Sequence, residues 1–144
     1  MIVYAETSAV LRWLLGGSKD GAIRSCLGGA ERVVTSRLTL AEVRRVLLRA
    51  VVTKTLGAAQ AAQARAAFGV ELPSWDIVEI TEEVWLRAEQ RFPVEPVRTL
   101  DALHLATALQ IGDVVGGVRM LSVDHRVLDN WRELGMTEAL RPGV

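Results

Sequence analysis

The sequence predicts an α/β fold with helices on both faces of a central parallel sheet, and two observations support that prediction. Short apolar runs alternate along the chain with longer segments of helical periodicity. This alternation is typical of parallel sheets that are covered on both sides. With 144 residues, of which 50% are hydrophobic, the chain can build one good core but not two. We therefore expect residues 1–144 to form a single domain.

The first quarter of the chain predicts two strands and two helices. Ile2–Ala5 is an apolar run with the length of a buried strand, and Ser8–Leu15 follows as an apolar helix that Gly16 and Gly17 end. Asp20–Leu27 predicts a second short helix. Arg32–Ser36 is the second strand candidate, because β-branched residues dominate it.

A helical hairpin is predicted next. Residues 38–52 place Leu40, Val43 and Leu47 at helical spacing, with arginines on the other face. Gly57 interrupts the pattern, and the alanine-rich residues 58–68 favour a helix by propensity alone. We expect the two helices to pack against each other.

The second half of the chain repeats the alternation. Strands are predicted at residues 75–80 and 119–123, with residues 137–140 as a candidate fifth strand. The predicted helices span residues 81–92, 99–112 and 125–135, and residues 93–96 form a loop. An acidic first turn favours the first of these helices through the helix dipole, and Gly112 is expected to stop the second.

Composition limits the classes of function. The charges balance at 17 basic and 17 acidic residues, which argues against a polycation that coats nucleic acid but not against a local basic rim. Cys26 is the only cysteine, so a reducing compartment is expected. Glu6 and Arg12 make the N-terminal segment a poor signal peptide, and no apolar run approaches membrane-spanning length. We expect a soluble, cytoplasmic protein.

Four carboxylates are expected to share the edge of the sheet at which parallel strands end. Glu6 and Asp124 each follow a predicted strand directly. Glu42 lies in the first turns of the helix after the second strand, and Asp101 opens the helix before the fourth. Because ligands of such folds bind outside the carboxyl ends of the strands, these acids predict a shared site.

Each acid also has a purely structural interpretation. Glu42 could close a capping box with Thr39, and Asp101 and Asp124 could stabilise the first turns of their helices. Glu6 is the hardest to explain in this way, because shorter polar residues make better caps. We favour one shared site over four independent caps at the same edge.

Such a cluster needs a cation. Two carboxylates about 5 Å apart repel each other by about 3 kcal/mol at an effective dielectric constant of about 20. The sequence places no lysine at these strand ends. Ligand sets made only of oxygen suit Mg²⁺ or Mn²⁺, which bind substrate phosphates and activate water.

Four segments in a particular order and spacing add a family resemblance. They are VYAETSAVLRWL (residues 3–14), SRLTLAEVRRVL (36–47), TLDALHLATAL (99–109) and LSVDHRVL (121–128). Together they resemble the PIN-domain ribonucleases, especially the VapC-type toxins of bacterial toxin–antitoxin pairs. The resemblance runs over nearly the whole chain.

The resemblance implies a three-layer α/β/α fold and a Mg²⁺- or Mn²⁺-dependent endoribonuclease toxin. It assigns metal binding and catalysis to the acids already selected, Glu6, Glu42, Asp101 and Asp124, and a contact with metal-bound water to Thr7 or Ser8. RNA and a cognate antitoxin are the implied partners. An antitoxin arginine is the expected occupant of an acidic cleft without a cation of its own. A homodimer is also implied, for which residues 13–15 are a candidate surface.

One position departs from the family pattern. Aspartate is usual where this chain has Glu6, and the extra methylene moves the carboxylate outward by about 1.5 Å. Because Mg²⁺ demands near-ideal octahedral geometry, one alternative is a catalytically weakened PIN-like interaction module. A more distant alternative is a doubly wound phosphoacceptor domain, which needs an aspartate at the end of the first strand.

Three further residues have two interpretations each. Arg44 and Arg45 follow Glu42 on a helix face rich in arginine, which is usually only solvated, although its position makes contact with RNA phosphate worth testing. His104 lies three residues after Asp101 in a run of leucine and alanine. We interpret it as a packing residue with a hydrogen bond rather than as a ligand.

Overall fold

The computed structural model describes residues 1–140, and four strands within them form one parallel sheet in the order β3-β2-β1-β4. The strands are β1 (Ile2–Ala5), β2 (Arg32–Ser36), β3 (Asp76–Val78) and β4 (Arg119–Leu121). Every pair of neighbouring strands is parallel. Their carboxyl ends therefore lie at one edge of the sheet.

Seven α-helices within residues 1–140 connect and flank the strands. They are α1 (Thr7–Leu15), α2 (Gly21–Gly29), α3 (Arg37–Val52), α4 (Ala58–Glu71), α5 (Glu82–Ala88), α6 (Thr99–Val115) and α7 (His125–Glu133). Short 3₁₀ turns at Gly17–Asp20 and Leu72–Ser74 precede α2 and β3. The predicted helical hairpin is α3 and α4, which pack together.

The sheet has an apolar core on each face. Successive residues of a strand point to opposite faces. Ala5 packs with side chains of α1, α3 and α4, whereas its neighbour Tyr4 packs with side chains of α6 and α7. Val33 and Val34 of β2 divide between the same two cores. The three-layer α/β/α fold implied by the resemblance is therefore confirmed.

Helix α6 continues past the glycine at which the sequence predicts its end. Gly112 lies inside the helix, which ends at Val115 and is capped by Gly116 in the left-handed conformation (φ 79°). A Cβ atom on Gly112 would lie 3.3 Å from Cγ1 of Val118. Gly112 thus permits close packing of the segment that leads into β4, and it does not terminate the helix.

Several predicted elements are shorter in the structure, including β3, which spans Asp76–Val78, β4, which ends at Leu121, and α7, which ends at Glu133. Helix α5 stops at Ala88, and Phe92 turns back into the core, where it is 2% exposed. Of the candidate fifth strand, only Glu138 pairs, in a single bridge with Met120. Within residues 1–140, no helix has both the length and the apolar character needed to cross a membrane. The single domain over residues 1–144 stays a prediction.

Candidate active site

The four predicted acids lie at the carboxyl edge of the sheet, each on a different element. Glu6 separates β1 from α1, Glu42 lies in α3, Asp101 lies in the first turn of α6, and Asp124 directly precedes α7. Glu6 and Asp101 are buried. The side chains of Glu42 and Asp124 are 22% and 20% exposed. The cluster is therefore half-open to solvent.

Within residues 1–140, every hydrogen bond to the Glu6 carboxylate goes to one oxygen. Oε2 accepts from the Ser8 N–H at 3.1 Å, from the Ser8 hydroxyl and from the Ser122 hydroxyl at 2.8 Å. The bond from the Ser8 N–H caps α1, so glutamate does serve as a helix cap here. Oε1 remains the oxygen with which Glu6 can bind an outside ligand.

The same two serines join Glu6 to the end of β4. The Ser8 hydroxyl accepts from the Val123 N–H at 3.0 Å, and the Ser122 hydroxyl accepts from the Asp124 N–H at 3.1 Å. Asp124 in turn caps α7, as one interpretation of the sequence predicted. Sequence reasoning misses Ser122, because a serine near a strand end has no distinctive pattern.

Glu42 is held by a second network, which is built around His104. Glu42 Oε1 accepts from the Thr7 hydroxyl at 2.8 Å and lies 2.5 Å from His104 Nε2. The Tyr4 hydroxyl lies 2.7 Å from His104 Nδ1. Because the carboxylate needs a donor, we assign the proton of the neutral imidazole to Nε2, so that Nδ1 accepts from Tyr4.

The environment of these groups favours that assignment. Burial, together with the negative charges of Glu6 and Glu42, raises the pKa of Tyr4 well above its ordinary value, so its hydroxyl keeps its proton. Partial burial by itself would raise the pKa of Glu42. The hydrogen bonds from His104 and the Thr7 hydroxyl, together with the positive charge of Arg98, outweigh that effect and lower the pKa. Glu42 is thereby held as a carboxylate.

His104 is a buried packing residue with a hydrogen bond, as the sequence predicts, but its bonding partner makes it part of the site. It is 1% exposed, and its ring meets that of Tyr4 edge-on with 6.0 Å between centroids. Sequence reasoning misses the contact with Glu42. The available signal is the spacing of three residues from Asp101, which puts both side chains on one side of α6.

The prediction of a capping box between Thr39 and Glu42 is wrong. Ser36 caps α3 instead, by accepting the Leu38 N–H at 3.1 Å. The Thr39 hydroxyl is buried and has no hydrogen-bond partner within residues 1–140. The structural interpretation of Glu42 as a capping residue therefore fails.

The acidic site contains a cation that the sequence argument does not foresee. Arg98 Nε donates to Asp101 Oδ2 at 3.0 Å, and Arg98 Nη2 lies 3.7 Å from Asp124 Oδ2. The hydrogen bond to Asp101 and the negative charges around it raise the pKa of Arg98. The expectation of an acidic cleft without its own cation is wrong, because one guanidinium lies between two of the four acids.

Comparison with known proteins identifies the family. The family model of the PIN domain matches residues 3–127, a range that includes all four acids. The chain belongs to the PIN-domain family. Its α/β/α fold and the order of its four acids along the sequence agree with the resemblance seen in the sequence.

Relatives of this PIN domain include ribonucleases of Mycobacterium tuberculosis. It is 32% identical over 134 residues to ribonuclease VapC46, covering 93% of each chain. It is 33% identical over 147 residues to ribonuclease VapC47, covering 99% of this chain and 98% of the relative. The crystal structure of VapC20 from the same species, a toxin that cleaves the sarcin–ricin loop, matches with a TM-score of 0.69. That match covers 99% of this chain and 100% of VapC20 at 19% identity, and it supports the fold alone. The resemblance to VapC-type toxins is confirmed.

The donor set of the PIN-domain site suits a hard divalent cation. Within residues 1–140, no group of three or more His, Cys, Asp or Glu side chains is arranged to hold a metal ion. The donors at hand are carboxylate oxygens, and Glu6 Oε1 and Glu42 Oε2 make no hydrogen bond within the same residues. Because Mg²⁺ keeps several waters and needs only one or two carboxylates, the residues fit such a cation.

Arg44 and Arg45 lie on the solvent side of this site's helix α3. Both are exposed, and neither forms an ion pair within the described part of the chain, residues 1–140. Their contact with RNA phosphate stays a prediction.

Proposed function

We propose that this PIN domain is a Mg²⁺- or Mn²⁺-dependent endoribonuclease that hydrolyses RNA phosphodiester bonds as the toxin of a toxin–antitoxin pair. The observation that carries the proposal is the joining of four carboxylates from four separate elements at one edge of the sheet. Ser8 and Ser122 connect Glu6 to Asp124, and Arg98 connects Asp124 to Asp101. Thr7, the residue after Glu6, donates to Glu42. The ribonuclease relatives VapC46 and VapC47 support nuclease activity.

Each residue has a defined part in the proposal. The residues that would hold the divalent cation, directly or through its water molecules, are Glu6, Glu42, Asp101 and Asp124. When bound, the cation supplies a Lewis acid that activates a water molecule and offsets charge on the phosphodiester. Thr7 and Ser8, for which the resemblance implies a contact with water, have hydroxyls that hold Glu42 and Glu6. Their part is to orient these carboxylates before the substrate arrives.

Replacing either aspartate tests the assignment. Asp101→Asn or Asp124→Asn should lower Mn²⁺-dependent cleavage of single-stranded RNA on the order of a hundredfold or more, because asparagine keeps the shape but removes the charge that opposes the cation. Asp113→Asn is a matched control, since Asp113 is exposed on the same helix as Asp101. Cleavage by the wild type must disappear with a chelator.

Two results would count against the proposal. An Asp101→Asn variant that cleaves at the wild-type rate would mean that Asp101 is not a ligand. A folded wild type without chelator-sensitive cleavage would favour the alternative of a catalytically weakened interaction module, in which Glu6 has replaced the usual aspartate.

The proposal includes partners and a location. We expect a cognate antitoxin, an RNA substrate, a homodimer and a cytoplasmic protein. Within the candidate surface at residues 13–15, Trp13 packs against Trp75 with 5.9 Å between ring centroids, whereas Leu15 is 43% exposed. Leu15 is therefore the side chain of this segment that can contact a second copy. An antitoxin arginine that enters the cleft has to compete with Arg98.

A further inference from the structure

Neither helix capping nor core packing explains the position of the Arg98 side chain in the site. It is the residue before the first turn of α6, but its side chain makes no capping hydrogen bond. The side chain is 62% exposed, so it adds little to the core. Its guanidinium lies between Asp101 of α6 and Asp124 at the start of α7, two acids that the fold brings together from different elements.

The contacts of Arg98 are ones that a stronger cation can replace. Only the bond from Nε to Asp101 is short, at 3.0 Å, and the approach of Nη2 to Asp124 is 3.7 Å. Ion pairs as exposed as these are weakened by water and salt. A divalent cation carries twice the charge and is attracted twice as strongly at the same distance. Arg98 and a divalent cation therefore compete for the same carboxylates.

A released Arg98 would remain beside the site and would suit the substrate. Its backbone is fixed at the start of α6, so the side chain can move only by the length of its own arm. The planar guanidinium donates two parallel hydrogen bonds to phosphate oxygens. An RNA phosphate that approaches four carboxylates is repelled by them, and an exposed cation beside the carboxylates reduces that repulsion.

We propose, on the basis of the proposed nuclease function, that Arg98 is a substrate-binding residue with two positions. It is the counter-charge of Asp101 and Asp124 while no divalent cation is bound. It turns to the RNA phosphate when those carboxylates hold a divalent cation. Metal binding thereby prepares the site for the substrate.

The substitution Arg98→Ala should change metal binding and RNA binding in opposite directions. Mn²⁺ alone, titrated calorimetrically without RNA, should bind on the order of two- to fivefold more tightly, the range expected when an exposed competing ion pair is removed. RNA binding is measured by fluorescence anisotropy of a short labelled single-stranded RNA in the presence of Ca²⁺. A gel run afterwards checks that the RNA has not been cleaved. RNA binding should weaken, and the slope of log affinity against log salt should fall by about 0.7, the loss of one phosphate contact on a single strand.

Two variants serve as controls. Arg98→Lys keeps the charge but loses the planar fork, so its Mn²⁺ affinity should stay near that of the wild type while RNA binding is partly retained. Arg126 is similarly exposed, and within residues 1–140 its guanidinium forms an ion pair only with Asp124, at 3.6 Å. Arg126→Ala should therefore raise Mn²⁺ affinity less than Arg98→Ala does.

The outcomes separate this inference from the function on which it rests. Weaker Mn²⁺ binding by Arg98→Ala would mean that Arg98 only positions Asp101, and the inference would be overturned. The inference would also be overturned if Arg98→Ala bound RNA with the same affinity and salt slope as the wild type. In that case, cleavage of RNA by the wild type would still support the nuclease function. A wild type that binds Mn²⁺ but no RNA would contradict the nuclease function itself.

Discussion

Glu6 stands where the family pattern has aspartate, and its longer side chain ends among the hydroxyls of Ser8 and Ser122. Both serines bond to Oε2, and both are tied in turn to backbone N–H groups at the end of β4. A carboxylate anchored through one oxygen has a defined position for the other. The extra methylene is thus accommodated by a specific set of contacts, which an aspartate shorter by about 1.5 Å would not reach in the same way.

A double-mutant cycle tests this anchoring. Ser122→Ala should lower the free energy of unfolding by about 1–3 kcal/mol, because it removes a hydrogen bond to a buried charge, and it should weaken Mn²⁺ binding. In the Glu6→Asp background the effect of Ser122→Ala on Mn²⁺ binding should be smaller. Calorimetric titration of the four proteins measures the coupling. The exposed Ser25→Ala is a suitable control.

Glu6 itself has two informative substitutions. Glu6→Asp should keep or raise cleavage with Mn²⁺, since the charge remains, and Glu6→Gln should lose it. A Glu6→Gln variant that binds Mn²⁺ and cleaves RNA like the wild type would show that Glu6 is not a ligand.

The contact between His104 and Glu42 should appear in the pH dependence of stability. The pKa of Glu42 lies below its ordinary value of 4.5 in the folded protein. A carboxyl with a lowered folded-state pKa stabilises the fold above the unfolded-state value, and this contribution is lost as the pH falls through the folded-state value. The free energy of unfolding should therefore decline below about pH 4.5. His104→Ala should make that decline shallower.

Urea unfolding across the acid range measures this effect. His104→Ala should also cost about 1–3 kcal/mol at neutral pH, because Tyr4 and Glu42 lose a partner. Glu95→Gln is the control, because hydrogen bonds from the Phe92 and Val97 N–H groups lower the pKa of Glu95 independently of His104. If His104→Ala left the decline of the free energy of unfolding at acid pH unchanged, the coupling of His104 to Glu42 would be contradicted.

Among the elements, α6 contributes most to the site. Arg98 precedes it and approaches Asp124, the residue before α7. Asp101 and His104 lie in its first turns, where His104 contacts Tyr4 of β1 and Glu42 of α3. Its other end is a glycine in a left-handed conformation that side chains disfavour.

Two glycine substitutions should have effects of opposite sign. Gly116→Ala should lower the free energy of unfolding by about 1–2 kcal/mol, because φ is 79° there. Gly69→Ala should raise it by about 0.5–1 kcal/mol, because that glycine lies in the exposed interior of α4 and nothing lies within 4 Å of an added Cβ. Thermal unfolding measures both. A stabilising Gly116→Ala would show that the left-handed cap is not maintained.

At the scale of the whole molecule, the site forms only when the sheet is complete. The acids lie between positions 6 and 124 of the sequence, and they meet because four parallel strands and their helices place them at one edge. Like charges collected in this way oppose folding, and Arg98 forms ion pairs with only two of the four. Metal binding and stability should therefore be linked.

Mn²⁺ should raise the midpoint of thermal unfolding of the wild type. A ligand that binds only the folded state adds about 2.7 kcal/mol at a hundred times its dissociation constant. Asp113→Asn should respond to Mn²⁺ like the wild type, and Asp101→Asn should respond much less. An equal shift of the midpoint in Asp101→Asn would indicate that Mn²⁺ binds elsewhere on the protein.

The sequence by itself determined the layers of the fold and the placement of the four acids at one edge of the sheet. Both depend on local patterns: apolar runs of strand length, helical periodicity and charges placed directly after strands. Helix ends were less predictable, because they depend on packing against residues distant in the sequence. Gly112 lies close to Val118 inside α6, and Phe92 is buried in the core beyond the end of α5.

Only the tertiary structure decided which side chains hold those acids. Ser122 reaches Glu6 across 116 positions of the sequence, and His104 reaches Glu42 across 62. Arg98 is close to Asp101 in sequence, but its approach to Asp124 depends on how α6 and α7 pack. Hydrogen bonds between groups so far apart along the chain leave no periodic pattern, because they are set by the packing of whole elements.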